Sequence, residues 1–370
     1  MAALALARLG ASAHEVTAFA QHSLEDGARR FGVTPVPQPR AQRGSRARTS
    51  SSGPELLEAV DVGLDATWAV LMADGAWRLL AGDARWEGSL RGFFLCELER
   101  EGLAHVLHRF LPEIMPGIDS RLFHGAIRLA YAAELGDLEE VAAALAYAVV
   151  SLTPPPEPPA PLGQVVAVSA QEGFAQLQEL HHDHAVFPRR LFMMGPGRVL
   201  ENSTAQASIP DLEIPVNFAS MGAETTFFER YLEDTLEFYL QEANIYTLHA
   251  VTSLHALHTL RPYMGSAGFA AGLRRHWRWL ASLYVASKAP TLSRGSVLPA
   301  GKLPWPVLLE SARTGLDDHE IKFLDTANQL GEALPGVAGR LHLAASTPPT
   351  GTRRRTALKR SSLGEFRMAR

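Results

Sequence analysis

One cysteine, Cys96, is all that this chain of 370 residues contains. That excludes an internal disulfide framework and any Cys-rich zinc or iron–sulfur site, and it suits a reducing cytoplasm. Long apolar runs are missing too: no uninterrupted stretch approaches the roughly 20 residues of a membrane span. The opening MAALALARLG is broken by Arg8 and has no basic leader, so it reads as an amphipathic helix rather than a signal peptide. Charge of one sign is also lacking. The net charge of -4 gives no reason to expect nucleic acid as a partner. Nucleotide and hydrolase fingerprints are absent: no GxGxxG follows a strand, and there is no P-loop, GxSxG or HExxH. The GPG at Gly195–Gly197 is too short to count. These gaps argue against a flavin or nicotinamide enzyme of ordinary design.

What is present is helical. Hydrophobic residues make up 46% and charged residues 20%, a globular balance. Ala2–Gln21 reads as a helical hairpin broken at Gly10, and Phe93–Phe110 follows helical spacing. Phe123–Asp137 and Leu138–Val150 follow, then a Pro-rich link at Pro154–Pro161. Val165–Pro215 is the least helical part. Further helices are expected over Phe227–Tyr239, Tyr246–Tyr263, Phe269–Ser287 and Val307–Arg313, and after a cap at Asp317 or Asp318. Thr34–Gly53, with its prolines and arginines, reads as a polar loop, and residues 351–370 as a loose basic tail. The fold expected is mainly α: a single multi-helix domain over residues 1–350. Two helical subdomains joined near Pro154–Pro161 are the alternative.

Histidines carry the chemistry worth weighing. Tyr246–Tyr263 holds three. At about 100° per residue His249 shares a face with Thr252, Ala256 and Leu260, His258 lies about 180° away and His255 about 120° away. One small centre therefore cannot easily use all three; if His249 is a ligand, His255 and His258 are left to packing or to supporting a ligand from behind. His181, His182, Asp183 and His184 are consecutive, so few of them can converge, and an exposed polar turn before Pro188 is the better reading. His124, His249 and His319 sit on separate predicted helices, and imidazoles from facing helices suit iron, zinc, copper or nickel. Spacing alone does not show that they converge. His124 shares its face with Arg128 and Tyr131, which are candidates to orient a substrate. Lys322 follows His319 by one turn on the same face. A buried, neutral lysine reacts with carbon dioxide to give a carbamate, an anionic oxygen donor for a metal. The acidic neighbours Asp317, Asp318, Glu320 and Asp325 would oppose this by favouring the ammonium if they lie close; Glu320 is about 160° away on the wheel, and Asp325, at i+3, is the one to watch.

Three stretches, FHGAIRLAYAAELGDLEEVAAALAY, TLHAVTSLHALHTLRPYM and DDHEIKFLDTANQLGE, resemble in order and separation the questin oxidase-like family. The resemblance implies oxidative opening of aromatic polyketide rings with dioxygen. That chemistry is either Baeyer–Villiger-like with NADPH or dioxygenation at a non-haem iron. The iron pattern it implies is four histidines and a carboxylated lysine, and His124, His249, His319 and Lys322 match it. The first histidine of the pattern precedes a run similar to Met1–Ala11 and has no counterpart here; His14 and His22 do not match it. Either the start lies upstream or the centre lacks one ligand. His258 stands where relatives more often carry Arg. The expectation is an oxidoreductase of secondary metabolism; the alternative is a non-catalytic helical binding protein with a degenerate metal centre.

Overall fold

The helices fall where apolar periodicity and capping residues put them. The computed structural model describes residues 1–31, 75–153, 166–183, 185–187, 199, 203–214, 221–292, 303–315 and 317–349. The loop at 34–53, the link at 154–161, His184 and the tail at 351–370 lie outside the described residues.

The N-terminal hairpin is α1 (Ala2–Arg8) and α2 (Ala13–Phe31), with Gly10 in the left-handed conformation at the break. Then come α3 (Glu87–Glu101), α4 (Leu103–Ile114), α5 (His124–Leu135) and α6 (Leu138–Ser151). Asp137 caps α6 by accepting from the amides of Glu139 and Glu140. Gly125 lets α5 approach α6 closely: a Cβ there would stand 3.0 Å from the Ala148 Cα.

The segment read as least helical holds two helices, α7 (Ala170–Leu180) and α8 (Ser203–Ser208). The signal for α7 was local. Ser169 accepts from the Glu172 amide, and the Glu172 carboxylate accepts from the Val168 amide, a reciprocal cap spelled S-x-x-E. Val166–Ala167 (β1) and Asp211–Leu212 (β2) flank this segment as a parallel pair, Val166 opposite Asp211 and Ala167 opposite Leu212. It is the one sheet among the described residues.

The remaining helices are α9 (Met221–Gln241), α10 (Ile245–Leu260), α11 (Gly265–Ala286), α12 (Trp305–Gly315), α13 (Asp318–Ala333) and α14 (Ala338–Ser346). The chain is mainly α, as expected. Packed around α10 are α5, α9, α11 and α13. Every residue from Thr247 to Leu257 is buried, so α10 is a central helix rather than one with a wet face. Its start is held by a capping box between Asn244 and Thr247. A single hydrophobic cluster extends from Ala2 to Ala345, drawing on both sides of the Pro154–Pro161 link. No described helix is long and apolar enough to cross a membrane.

Helices α5, α10 and α13 run in the same direction. His124 and His249, near the starts of α5 and α10, are in contact, and two turns on the Tyr131 and His255 rings meet edge to face. The α13 residues follow suit: His319 lies against His249, and Thr326 against His255. Three helix starts therefore gather at one end of the core.

Candidate metal centre

His124 is the first residue of α5, and the turn before it is unusual. Arg121, Leu122 and Phe123 have φ of 50, 59 and 60°, three consecutive non-glycine residues in the left-handed region. Each such residue costs about 1–2 kcal/mol, so surrounding contacts must hold the turn. Phe123 is fully buried against His276 and Trp279. Asp119 begins the turn and is pinned by Arg275, whose Nε donates to it at 2.6 Å in a buried ion pair. The turn aims the His124 ring at α10.

His249 enters from α10, fully enclosed. Its Nδ1–H donates to the Ile245 carbonyl one turn back, at 2.6 Å, which leaves Nε2 with its lone pair. That nitrogen lies 2.9 Å from Nε2 of His124. His319 comes from the first turn of α13, which Asp317 caps by accepting from the amides of His319 and Glu320. The His319 Nδ1 is taken by the Asp318 carboxylate at 2.9 Å, so Nε2 is its remaining donor atom. One ligand atom from each histidine falls within 4.8 Å of the others.

The electrostatics keep the His124 and His249 rings neutral. Burial, reinforced by the charge of Lys322, lowers His124 to about 4. Burial lowers His249 to about 3, against the opposing pull of the Ile245 carbonyl. Neutral imidazole is the form that ligates a metal.

The donor set fits a divalent transition metal. Two nitrogens each about 2.1 Å from one ion and at right angles to each other are about 3.0 Å apart. The His124–His249 separation is already close to that, so little movement separates the present contact from joint ligation. The other ring nitrogen of His249 is held by a backbone carbonyl and that of His319 by a carboxylate, the usual supports of ligating histidines.

Lys322 is buried one turn beyond His319, and its Nζ is bound by Asp318 at 3.1 Å. Asp325, expected as its acidic neighbour, points elsewhere. Its Oδ2 accepts from the Tyr131 hydroxyl at 2.8 Å and its Oδ1 from Gln329, and Arg8 lies 3.5 Å away. The cause is simple. Asp318 at i−4 stacks below Lys322 along the helix, whereas Asp325 is drawn across to α5 and α1. Burial opposes the charge on Asp318, yet the His319 hydrogen bond and Lys322 hold its carboxyl well below the usual range.

The two candidates for orienting substrate sit further along α5. Tyr131 is two turns from His124, with its hydroxyl committed to Asp325; burial and that carboxylate raise its pKa well above the usual value. Arg128 is one turn from His124, 3.5 Å from Glu140 and over the Tyr147 ring. The Met1 amino group feels Lys322, Glu140, Arg128 and Asp318 together, so Arg128 borders the same end of the core as Lys322.

The remaining histidines on α10 keep to packing, as their phase predicts. His258 lies against Phe228 and His255 beside Thr326. The His181 and His182 rings lie beside each other on a turn.

Fold and site together define a mainly helical protein with a three-histidine cluster able to hold a metal ion. The chain belongs to the Questin oxidase-like family, whose family model matches residues 1–207. Membership supports an oxidoreductase in general terms. No curated protein matches the chain. His124 lies inside the matched region, whereas His249, His319 and Lys322 lie beyond it and stand on geometry.

Proposed function

We propose that the protein is a non-haem iron dioxygenase that opens a ring of an aromatic, polyketide-like substrate. The observation that carries this reading is the convergence of three imidazoles, from helices α5, α10 and α13, within 4.8 Å. His124, His249 and His319 would hold ferrous iron through nitrogen. Lys322, now paired with Asp318, would complete the set as a carbamate, formed when its ammonium gives up one proton and the freed amine attacks carbon dioxide and loses a second. That anionic oxygen donor offsets metal charge which neutral imidazoles leave uncompensated. Bound iron supplies the capacity to activate dioxygen, which closed-shell organic substrates do not react with unaided.

The chain's own residues do the rest. Ile245 and Asp318 fix the His249 and His319 rings so that their lone pairs face the cluster. The buried wall of α10 excludes water, which strengthens every polar contact inside. Arg128, one turn from His124, would exchange its Glu140 contact for an acidic phenol or carboxylate of the substrate, and Tyr131 anchors α5 to α13 through Asp325. Dioxygenation delivers both oxygen atoms to the product and consumes no reductant. The absence of a dinucleotide fingerprint favours it over the NADPH-dependent alternative, in which one atom leaves as water.

The test is metal analysis of the purified protein, followed by oxygen uptake with hydroxylated anthraquinones, with and without NADPH. Iron bound near one per chain and uptake independent of NADPH are expected. Uptake that requires one NADPH per dioxygen would replace the dioxygenase reading with the monooxygenase one. Protein that takes up neither iron nor oxygen would end both.

A further inference from the structure

We infer that Asp318 is a positioning residue of this centre, a single carboxylate that orients two ligands at once. The inference rests on the metal reading above and adds a residue to it. Asp318 Oδ1 lies 2.9 Å from His319 Nδ1, and its Oδ2 lies 3.1 Å from Lys322 Nζ. No other residue joins two of the proposed ligands in this way among the described contacts.

Asp318 is not needed to start the helix. Asp317 already accepts from the amides of His319 and Glu320, which leaves both Asp318 oxygens for side chains. The side chain is half exposed, so the fold does not depend on burying it. The His319 side chain is 28% exposed, whereas His249 is enclosed by α10 and its neighbours. Packing alone therefore fixes the His319 ring less firmly, and the Asp318 hydrogen bond supplies the missing constraint. A proton held on Nδ1 leaves the Nε2 lone pair for the cluster; without Asp318 the proton is free to sit on either nitrogen.

The second oxygen acts on Lys322. Its flexible four-carbon stem reaches many positions, and the Asp318 contact selects one beside the cluster. The i, i+4 spacing stacks Asp318 with Lys322 along the helix, and at this first turn its other oxygen reaches the neighbouring His319 ring. Outer partners of this kind are worth about 10- to 100-fold in metal affinity.

The test compares wild type, Asp318→Ala and Asp318→Asn in two readouts. Two-bond 1H–15N correlation spectra of metal-free protein report which His319 nitrogen carries the proton. Titration with cobalt(II) against a chromogenic chelator reports affinity, and the visible bands of the bound ion report its ligand geometry. Wild type should show His319 protonated on Nδ1. Asp318→Ala should lose that signature, bind cobalt about 10- to 100-fold more weakly and show altered bands. The Asn side chain keeps an oxygen for His319 but turns a donor toward the Lys322 Nζ–H where Asp318 accepts, so it should retain the tautomer and fall between the two in affinity. An unchanged tautomer with wild-type cobalt affinity in Asp318→Ala would overturn the inference. Wild type that takes up no cobalt would overturn the metal reading instead, and the metal-free spectra would still decide whether Asp318 orients His319. A lowered melting temperature with tautomer and bands unchanged would mark Asp318 as merely structural and also overturn the inference.

Discussion

Nε2 of His124 and Nε2 of His249 lie 2.9 Å apart, although 125 residues separate them in the chain. Because His249 gives its Nδ1–H to Ile245, the shared proton between the rings belongs to His124. A metal ion taking both lone pairs requires that proton to move to the other ring nitrogen, so His124 is expected to change tautomer on metal uptake with no net proton released.

Removing His249 should therefore abolish the centre, while removing His258, which packs on Phe228 away from it, should not. Metal content after dialysis is the measurement. His249→Ala is expected to bind more than about 100-fold more weakly than wild type and His258→Ala within a few-fold of it. Equal loss from both would show that the centre lies elsewhere.

Lys322→Ala is expected to lose metal as well, since it removes the proposed anionic donor. Bicarbonate added to metal-stripped wild type should restore part of the uptake but do nothing for the variant. Full occupancy in Lys322→Ala would remove the carbamate from the mechanism.

Stability should fall as the solution is acidified below pH 6.5. His255 is buried beside Thr326, and burial lowers it to about 3. His276, lowered by burial to about 4, accepts from the Tyr231 hydroxyl and donates to the Ala250 carbonyl. Both folded values lie below the ordinary 6.5, so between 6.5 and those values the unfolded chain binds the extra protons. Each ring then costs up to about 1.4 kcal/mol of stability per pH unit. Melting temperature followed from pH 7 to 5 should drop, and less steeply in His255→Gln. A flat profile would mean that these rings are charged or exposed in the folded state.

Arg121→Gly tests the left-handed turn before His124. Arg121 is exposed and adopts φ of 50°, a conformation glycine takes without strain. Relief of strain should outweigh the added freedom of the unfolded chain and stabilise the protein by up to about 1 kcal/mol. Metal affinity should hold or rise, because the substitution also removes a cation that disfavours charge on His124. A lower melting temperature would show that Arg121 makes contacts worth more than its strain.

Local rules were enough for much of this molecule. Apolar period and capping residues placed α5, α6, α10 and α11 within a few residues, because a helix is specified by neighbours no more than four positions apart. The same period separated His249 from His258 and set Lys322 above His319. The Ser169–Glu172 cap of α7 was equally local, and the sequence reading passed over it. Other features are not local. That His124, His249 and His319 meet depends on how α5, α10 and α13 pack, and packing is decided by the whole core at once. Which acid Lys322 pairs with was likewise open along the helix, where Asp318 and Asp325 are both within a turn. Tertiary structure settled it by giving Asp325 to Tyr131 on α5 and leaving Asp318 to the lysine. Sequence determined which face of each helix bears its ligand; only the packing of three co-directional helices brought those faces to one point.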